Sequence, residues 1–452
     1  MVGSAAARHA ARTGHSVALI GPAEVNRSDA DAWAVTEVFG AHYDEGRITR
    51  KTDPDPVWAT LAARSVERYG EIVEDAGGGF GFYHEVGHLA VGAAGSTTVE
   101  DRKANAAAMG VGFEALDAEA LATRFPYLAF GAGAAGVYEP REAGYVSARG
   151  LVAAQTAAAS RMGAVVVPRA AVAVEPVAAH LSGGLNAAAS LYDVFTDDGA
   201  AVRSKRVLVA AGAFTNDRPL LPISSEASTP GGVDFFHATL DLRPATAQTV
   251  HFLLGEADAE RLAGMPSVIV KDENLWAYVL PPIRYPDGTT RLKLGGARWA
   301  GVQVHAQALE EEVEAGKSAS EAAMAAGKRP LRSADEVVAW YRGGGDPAAT
   351  AEMEEMMRTL VPGLDPTTPT LSDACVTCHT PTGQAFVGEI APGLCVATGG
   401  NGLAAKSSDE IGRLGALCAL SPEAWGRERI AGRPTADVLR PVLKETARVD
   451  NP

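Results

Sequence analysis

Arg206-Val-Leu-Val-Ala-Ala-Gly212 carries a short apolar run, Val207 to Ala211, that ends in glycine. Both faces of such a run are apolar, which is the form of a parallel strand in a sheet covered on both sides. The pattern recurs upstream, where residues 150 to 161 read as a helix and Ala164-Val-Val-Val-Pro168 as the strand that follows. At the start, the Ala-rich stretch to Gly14 reads as a helix, and His15-Ser-Val-Ala-Leu-Ile20 as a short strand after the Gly14 stop. Helices alternating with buried strands put the chain in the α/β class and suggest a dinucleotide-binding unit.

A chain of 452 residues has room for a cofactor domain and a substrate domain. Apolar residues make up 47% and charged residues 21%, a balance that excludes wholesale disorder. Acidic residues outnumber basic ones by 55 to 40, and the net charge of -15 argues against nucleic acid as a partner. The apolar stretches Val207 to Ala213 and Leu394 to Thr398 fall far short of the ~20 residues of a membrane helix, so no membrane span is expected. Met1-Val-Gly-Ser-Ala-Ala-Ala7 has no basic n-region, and cytoplasmic location is the expectation. Four cysteines do not make a disulfide framework. Residues 57 to 75 read as one amphipathic helix stopping before Gly77-Gly-Gly79. The stretch 300 to 362 reads as helix-rich, including Glu310 to Glu314 and Glu352 to Met357, with a break at Gly343-Gly-Gly345. No fixed-period repeat stands out.

Beyond these, His42-Tyr-Asp-Glu-Gly-Arg-Ile-Thr-Arg50, Gly136-Val-Tyr-Glu-Pro140 with Gly144, and Val207-Leu-Val-Ala-Ala-Gly-Ala-Phe214 occur in that order. Arg291-Leu-Lys-Leu-Gly295, Cys375-Val-Thr-Cys-His-Thr-Pro381, and Ala397-Thr-Gly-Gly-Asn-Gly402 through Lys406-Ser-Ser408 follow. Taken together, these segments resemble the D-amino-acid oxidase and monomeric sarcosine oxidase family of FAD-dependent oxidoreductases. The resemblance implies a Rossmann-like FAD-binding domain built from discontinuous segments (1-85, 146-217, 371-452). It implies an α+β substrate domain with a mixed sheet from 86-145 and 218-370. The implied reaction is oxidation of a C-N bond in an amino acid or secondary amine, with O2 or another electron acceptor. An oxidase and a dehydrogenase are both compatible with it, as is an inactive fragment.

The same resemblance names residues. Gly3 looks like the final glycine of a Gly-x-Gly-x-x-Gly turn, whose backbone N-H groups and helix N-terminus bind pyrophosphate. Arg47, Gly212, Gly399, Gly400 and Gly402 are implied cofactor contacts. Arg50 resembles the arginine that grips a substrate carboxylate, a task suited to a planar guanidinium; the plain alternative is a pair of surface arginines. Lys406 resembles the second carboxylate anchor, displaced by two residues. Lys293 falls where the family places a lysine that assists oxygen, against the alternative of one exposed lysine on a half-buried strand. Cys375 resembles the cysteine bonded to flavin in monomeric sarcosine oxidases, against a plain free cysteine. Ala297 and Thr377 replace a family histidine and tyrosine, so the pocket is not a sarcosine pocket.

Two further patterns compete. His84-Glu-Val-Gly-His88 matches H-E-x-x-H, which needs a helix, yet Phe82 to Val91 reads as strand, and no metal is expected. Cys375-Val-Thr-Cys-His379 matches C-x-x-C-H, whose haem attachment requires export. The family also has a strand carrying Gly-x-Gly ahead of Gly3, and a ribose-binding acid where Gly21-Pro22 stands, with Glu24 nearby. The given sequence begins after that strand, so weak FAD retention is expected unless an upstream start supplies roughly twenty more residues.

Overall fold

The computed structural model describes residues 1–177, 191–224, 235–272, 275–298 and 329–444. The opening helix, Val2–Arg12, buries Ala5, Ala6, Ala7 and Ala11, and these small side chains let it lie close against Ser408–Leu420. At Gly412 of that second helix an added Cβ would stand 2.5 Å from the Ala5 Cβ and 2.7 Å from the Val2 carbonyl. Alanines also line its other contact, with Ala148–Arg161. The short apolar runs are parallel strands: Val207–Val209 pairs with Leu394–Thr398 and is buried as read, whereas Ala18–Ile20 pairs with Val165–Val167 in a two-stranded sheet that leaves Val165 and Val166 exposed.

A mixed sheet of eight strands forms the other half. Its order is Thr370–His379, Arg243–Leu253, Thr290–Arg298, Leu275–Arg284, Ser267–Lys271, His88–Ala93, Ala134–Glu139, Glu114–Leu116. Only the Ser267–Lys271 and His88–Ala93 neighbours run parallel. Alternation along these strands gives the sheet two unlike faces. Val250, Phe252, Val279, Leu292 and Leu294 point to a core with Met353, Met356 and Met357 of helix Pro347–Leu360. The intervening residues, including His251 and Lys293, point to the opposite face, where the site lies.

Two sequence expectations are corrected. Residues 57 to 75 form two helices, Pro56–Val66 and Tyr69–Asp75. The ladder breaks at Arg68, which turns to donate to Asp409 and Glu410 (2.7 and 2.6 Å), a tertiary demand that overrides the periodicity. Phe82 to Val91 is likewise two strands, Tyr83–His84 and His88–Ala93, parted by Gly87 at φ +79°. Past residue 328 the expected helices are present as Ala334–Gly343 and Pro347–Leu360, separated by Gly344 and Gly345, both at positive φ. Glu310 to Glu314 lie outside the described residues. Among the described residues no helix is long and apolar enough to cross a membrane.

Candidate active site

The helix Val2–Arg12 begins where two parallel strands end. Gly3 has the Ala210 Cβ 3.6 Å from where its own Cβ would be, just past strand Val207–Val209. Gly212 follows at φ +57° with open space around its Cβ position, and its carbonyl accepts from Thr398 Oγ1 (3.4 Å) at the end of the neighbouring strand. The turn Gly399 to Gly402 folds back on the Cys375 strand: Asn401 N donates to the Cys378 carbonyl (2.9 Å), and the Thr380 N donates to Asn401 Oδ1 (3.0 Å). Gly399 and Gly402 both sit at φ +74°, and a Cβ on Gly399 would collide with Thr380. An added Cβ on Gly400 would stand 2.7 Å from the Ala404 Cβ. A helix N-terminus beside the carboxyl ends of parallel strands is the crevice in which α/β sheets bind dinucleotides, so these residues fit a bound FAD. Glu24 is committed elsewhere, to Arg149 (2.6 Å).

From this crevice the Cys375 strand runs along the edge of the large sheet. Cross-strand partners share a face, so Cys375 with Ala247, Asp373 with Thr249, and His251 with Lys293 form one surface. Tyr278, opposite Gly295, extends it. Cys375 is half-buried and reduced. Cys378, three residues on, lies on the opposite face of the strand, so the two thiols of C-x-x-C-H cannot serve one haem. Similarly, His84 is exposed and stacked on Tyr145, whereas His88 is buried and bonded to Ser267 (3.0 Å). The described residues hold no cluster suited to a metal ion.

Lys293 is 1% exposed, which disposes of the surface-lysine alternative. Its ammonium donates to Asp44 and to the Gly46 carbonyl (2.5 Å). Asp44 also accepts from Arg47, from Tyr285 Oη (2.7 Å) and from the Glu45 N (2.8 Å). Burial pushes the Asp44 carboxyl up, but Lys293 and Arg47 outweigh it and hold it well below the carboxylate range. Burial lowers Lys293 despite Asp44, and takes His251 down to about 3, so that imidazole is neutral. Gly46 makes the approach possible, because an added Cβ would stand 2.7 Å from Ile283 Cδ1.

A second cluster follows in the same segment. Arg50, 4% exposed and so no surface residue, donates to Asp53 Oδ2 (3.0 Å), and the Lys406 ammonium lies 3.3 Å from that same oxygen. The two expected carboxylate anchors thus converge on one carboxylate, supplied by the chain itself. Burial raises Asp53, yet Lys406 and Arg50 bring it down to about 2; burial lowers Lys406 to about 8. The loop is fixed by Glu139, which accepts from Lys51 N (3.0 Å) and Thr52 N (3.1 Å), and by Asn105, which donates to the Asp53 and Pro54 carbonyls (3.0 and 2.7 Å). Sequence reasoning missed Asp44, Asp53, His251 and Glu139. Asp44 and Glu139 stood inside segments already singled out, and two carboxylates near Arg47 and Arg50 were the available signal.

The family model for FAD dependent oxidoreductases (DAO) matches residues 1–416. No curated protein sequence matches the chain. Three solved structures share its fold. A mutant of NikD, described as an unusual amino acid oxidase essential for nikkomycin biosynthesis, is 18% identical, with a TM-score of 0.68 over 98% of this chain and 95% of that one. Iminodiacetate oxidase from Chelativorans sp. BNC1 is 17% identical, with a TM-score of 0.61 over 98% and 96%. L-proline dehydrogenase from P. horikoshii is 15% identical, with a TM-score of 0.64 over 96% and 95%. With a glycine-lined dinucleotide crevice, a buried cationic sheet face and a family match over most of its length, the chain belongs to the DAO family of FAD-dependent oxidoreductases.

Proposed function

We propose that the chain oxidises a C-N bond in a small amino acid or secondary amine. The observation that carries this is the convergence of buried Arg50 and Lys406, two cations against the single carboxylate of Asp53, beside the Lys293 face. One positive charge is left for a substrate carboxylate, and a guanidinium with an ammonium would orient it. Gly3, Gly212, Gly399, Gly400, Gly402 and Arg47 would hold FAD, with Cys375 as the point of any covalent bond. FAD, when bound, would supply a two-electron acceptor for a hydride from the carbon next to the substrate nitrogen, with O2 or another acceptor taking up the electrons. The imine product hydrolyses in water. Neutral His251, cross-strand from Lys293, keeps the site's charge confined to Lys293, Arg47 and Asp44.

Segments 1-85, 146-217 and 371-452 would form the FAD-binding domain, and 86-145 with 218-370 the substrate domain. The oxidase is the preferred form, since the Lys293 and Arg47 pair retains one positive charge after Asp44 is counted, enough to stabilise reduced oxygen. The direct ion pair of Lys293 with Asp44 favours the dehydrogenase as the second reading, because it screens the cation from oxygen. Anaerobic bleaching of bound flavin by a panel of N-methyl, cyclic and acidic amino acids tests the C-N reading. Peroxide release under air then divides the two forms, and a flavin that no amine bleaches refutes the proposal.

A further inference from the structure

Arg102, on helix Thr97–Met109, is 2% exposed and makes one hydrogen bond, from Nη1 to the Thr52 carbonyl (3.3 Å). Its Nε has no partner, and no carboxylate of the described residues lies within ion-pair distance. A guanidinium has five donors, and one buried without a counter-charge is expensive to keep. The nearby acids are committed, Asp53 to Arg50 and Lys406, and Glu139 to the Lys51 and Thr52 backbone. Lys271, the exposed last residue of strand Ser267–Lys271, pairs with Gly92, whose Cβ position would meet both the Lys271 carbonyl (3.0 Å) and Thr98 of the Arg102 helix (3.2 Å). It interacts electrostatically with Arg102, Asp53 and Arg50 and has no carboxylate partner among the described residues. Four cations, Arg50, Arg102, Lys271 and Lys406, therefore face two carboxylates, Asp53 and Glu139. His88, buried among them and held neutral, adds no charge.

The structure assigns to Arg102, with Lys271 at the rim, the binding of a second carboxylate of the substrate, so that the amine oxidised is a dicarboxylic one. This rests on the reading above, in which Arg50 and Lys406 take the first carboxylate. One surplus charge answers each carboxylate. A planar fork suits the inner one and a mobile ammonium the outer one. Burial and Arg50 bring the Arg102 guanidinium down to about 10, still charged at neutral pH and in need of an anion.

The test uses glutarate and butyrate, which differ by one carboxylate, on the flavin-loaded protein. Binding is read from the flavin absorbance perturbation and, separately, from the thermal midpoint. Glutarate should bind at least roughly tenfold more tightly than butyrate, the worth of one charge-assisted contact. The preference should fall to about one in Arg102→Gln and be largely kept in Arg102→Lys. Equal binding of the two acids by the unmodified protein overturns the assignment, and so does a preference that survives in Arg102→Gln. Should Arg102→Gln not fold, the comparison on the unmodified protein still decides. Amines that bleach the flavin while glutarate shows no advantage would sink this inference alone. A glutarate preference in a protein that no amine reduces would uphold the anion site and sink the C-N reading.

Discussion

Replacing Asp44 by Asn is the sharpest probe of the site, because it removes one charge and leaves the shape. The Lys293 ammonium would then be left with neutral acceptors only, the Gly46 carbonyl among them, in a position 1% exposed. Stripping one partner from a buried pair costs about 3–5 kcal/mol, a fall of two to four powers of ten in the folded-to-unfolded ratio. Lys293→Met is milder, since Asp44 retains Arg47, Tyr285 and the Glu45 N; about 1–2 kcal/mol is expected. The double variant no longer buries an unpaired ammonium, so it should be more stable than the sum of the two losses predicts, by about 2 kcal/mol. Urea unfolding of all four proteins measures this cycle. The pH dependence has a definite sign: the Asp44 carboxyl is depressed in the fold, so its contribution is present above the ordinary value near ~3.9 and is lost as pH falls below it. The gap between the unmodified protein and Asp44→Asn should therefore close in acid. Losses that simply add, to within about 0.5 kcal/mol, would refute the pairing argument.

Three shorter predictions accompany it. Propionate, a single-carboxylate ligand, should bind progressively more weakly above about pH 8 as Lys406 sheds its proton, and Lys406→Met should abolish that limb; a flat profile to pH 10 would remove Lys406 from the anchor role. If the flavin is covalent, acid-precipitated protein stays yellow and Cys375→Ser turns the pellet white; a colourless pellet from the unmodified protein rejects the bond and leaves the family untouched. Gly412→Leu should cost about 3 kcal/mol or more and reduce flavin content, because a side chain there meets Ala5 and the Val2 carbonyl across the helix contact; full flavin content would show the contact to be dispensable.

Much of the architecture was legible because its signals are local. Val207 to Val209 are apolar on every residue and form a parallel strand packed on both faces, whereas the equally apolar Val165 to Val167 pair only with Ala18–Ile20 and leave Val165 and Val166 exposed. The alternation in Leu292, Lys293 and Leu294 likewise placed the lysine on a face of its own. The failures were long-range. No local pattern tells that Arg68 turns toward Asp409, 341 residues away, and thereby splits a helix that periodicity runs straight through. Gly87 broke the strand reading for a related reason, since Tyr138 fills the space a side chain would need.

The site divides in the same way, and the division has a chemical meaning. Family resemblance pointed to cations, Lys293, Arg47, Arg50 and Lys406, because a guanidinium or ammonium in a fixed sequence frame is recognisable. It did not point to the carboxylates that govern them: Asp44 and Asp53 each have one partner three residues away, Arg47 and Arg50, but the second cation that completes each cluster lies 249 or 353 residues off. Yet each cluster is built alike, two cations on one carboxylate, all buried except the half-buried Arg47, and each keeps one positive charge after internal pairing. The internal carboxylate makes burial of the pair tolerable, and the residual charge is desolvated in advance of any anion that arrives. On the proposed function those anions are the substrate carboxylate at Asp53 and the reduced acceptor at Asp44. Deleting either aspartate should therefore strengthen anion binding at its own cluster while weakening the fold, a pair of opposite effects that no merely structural ion pair would produce.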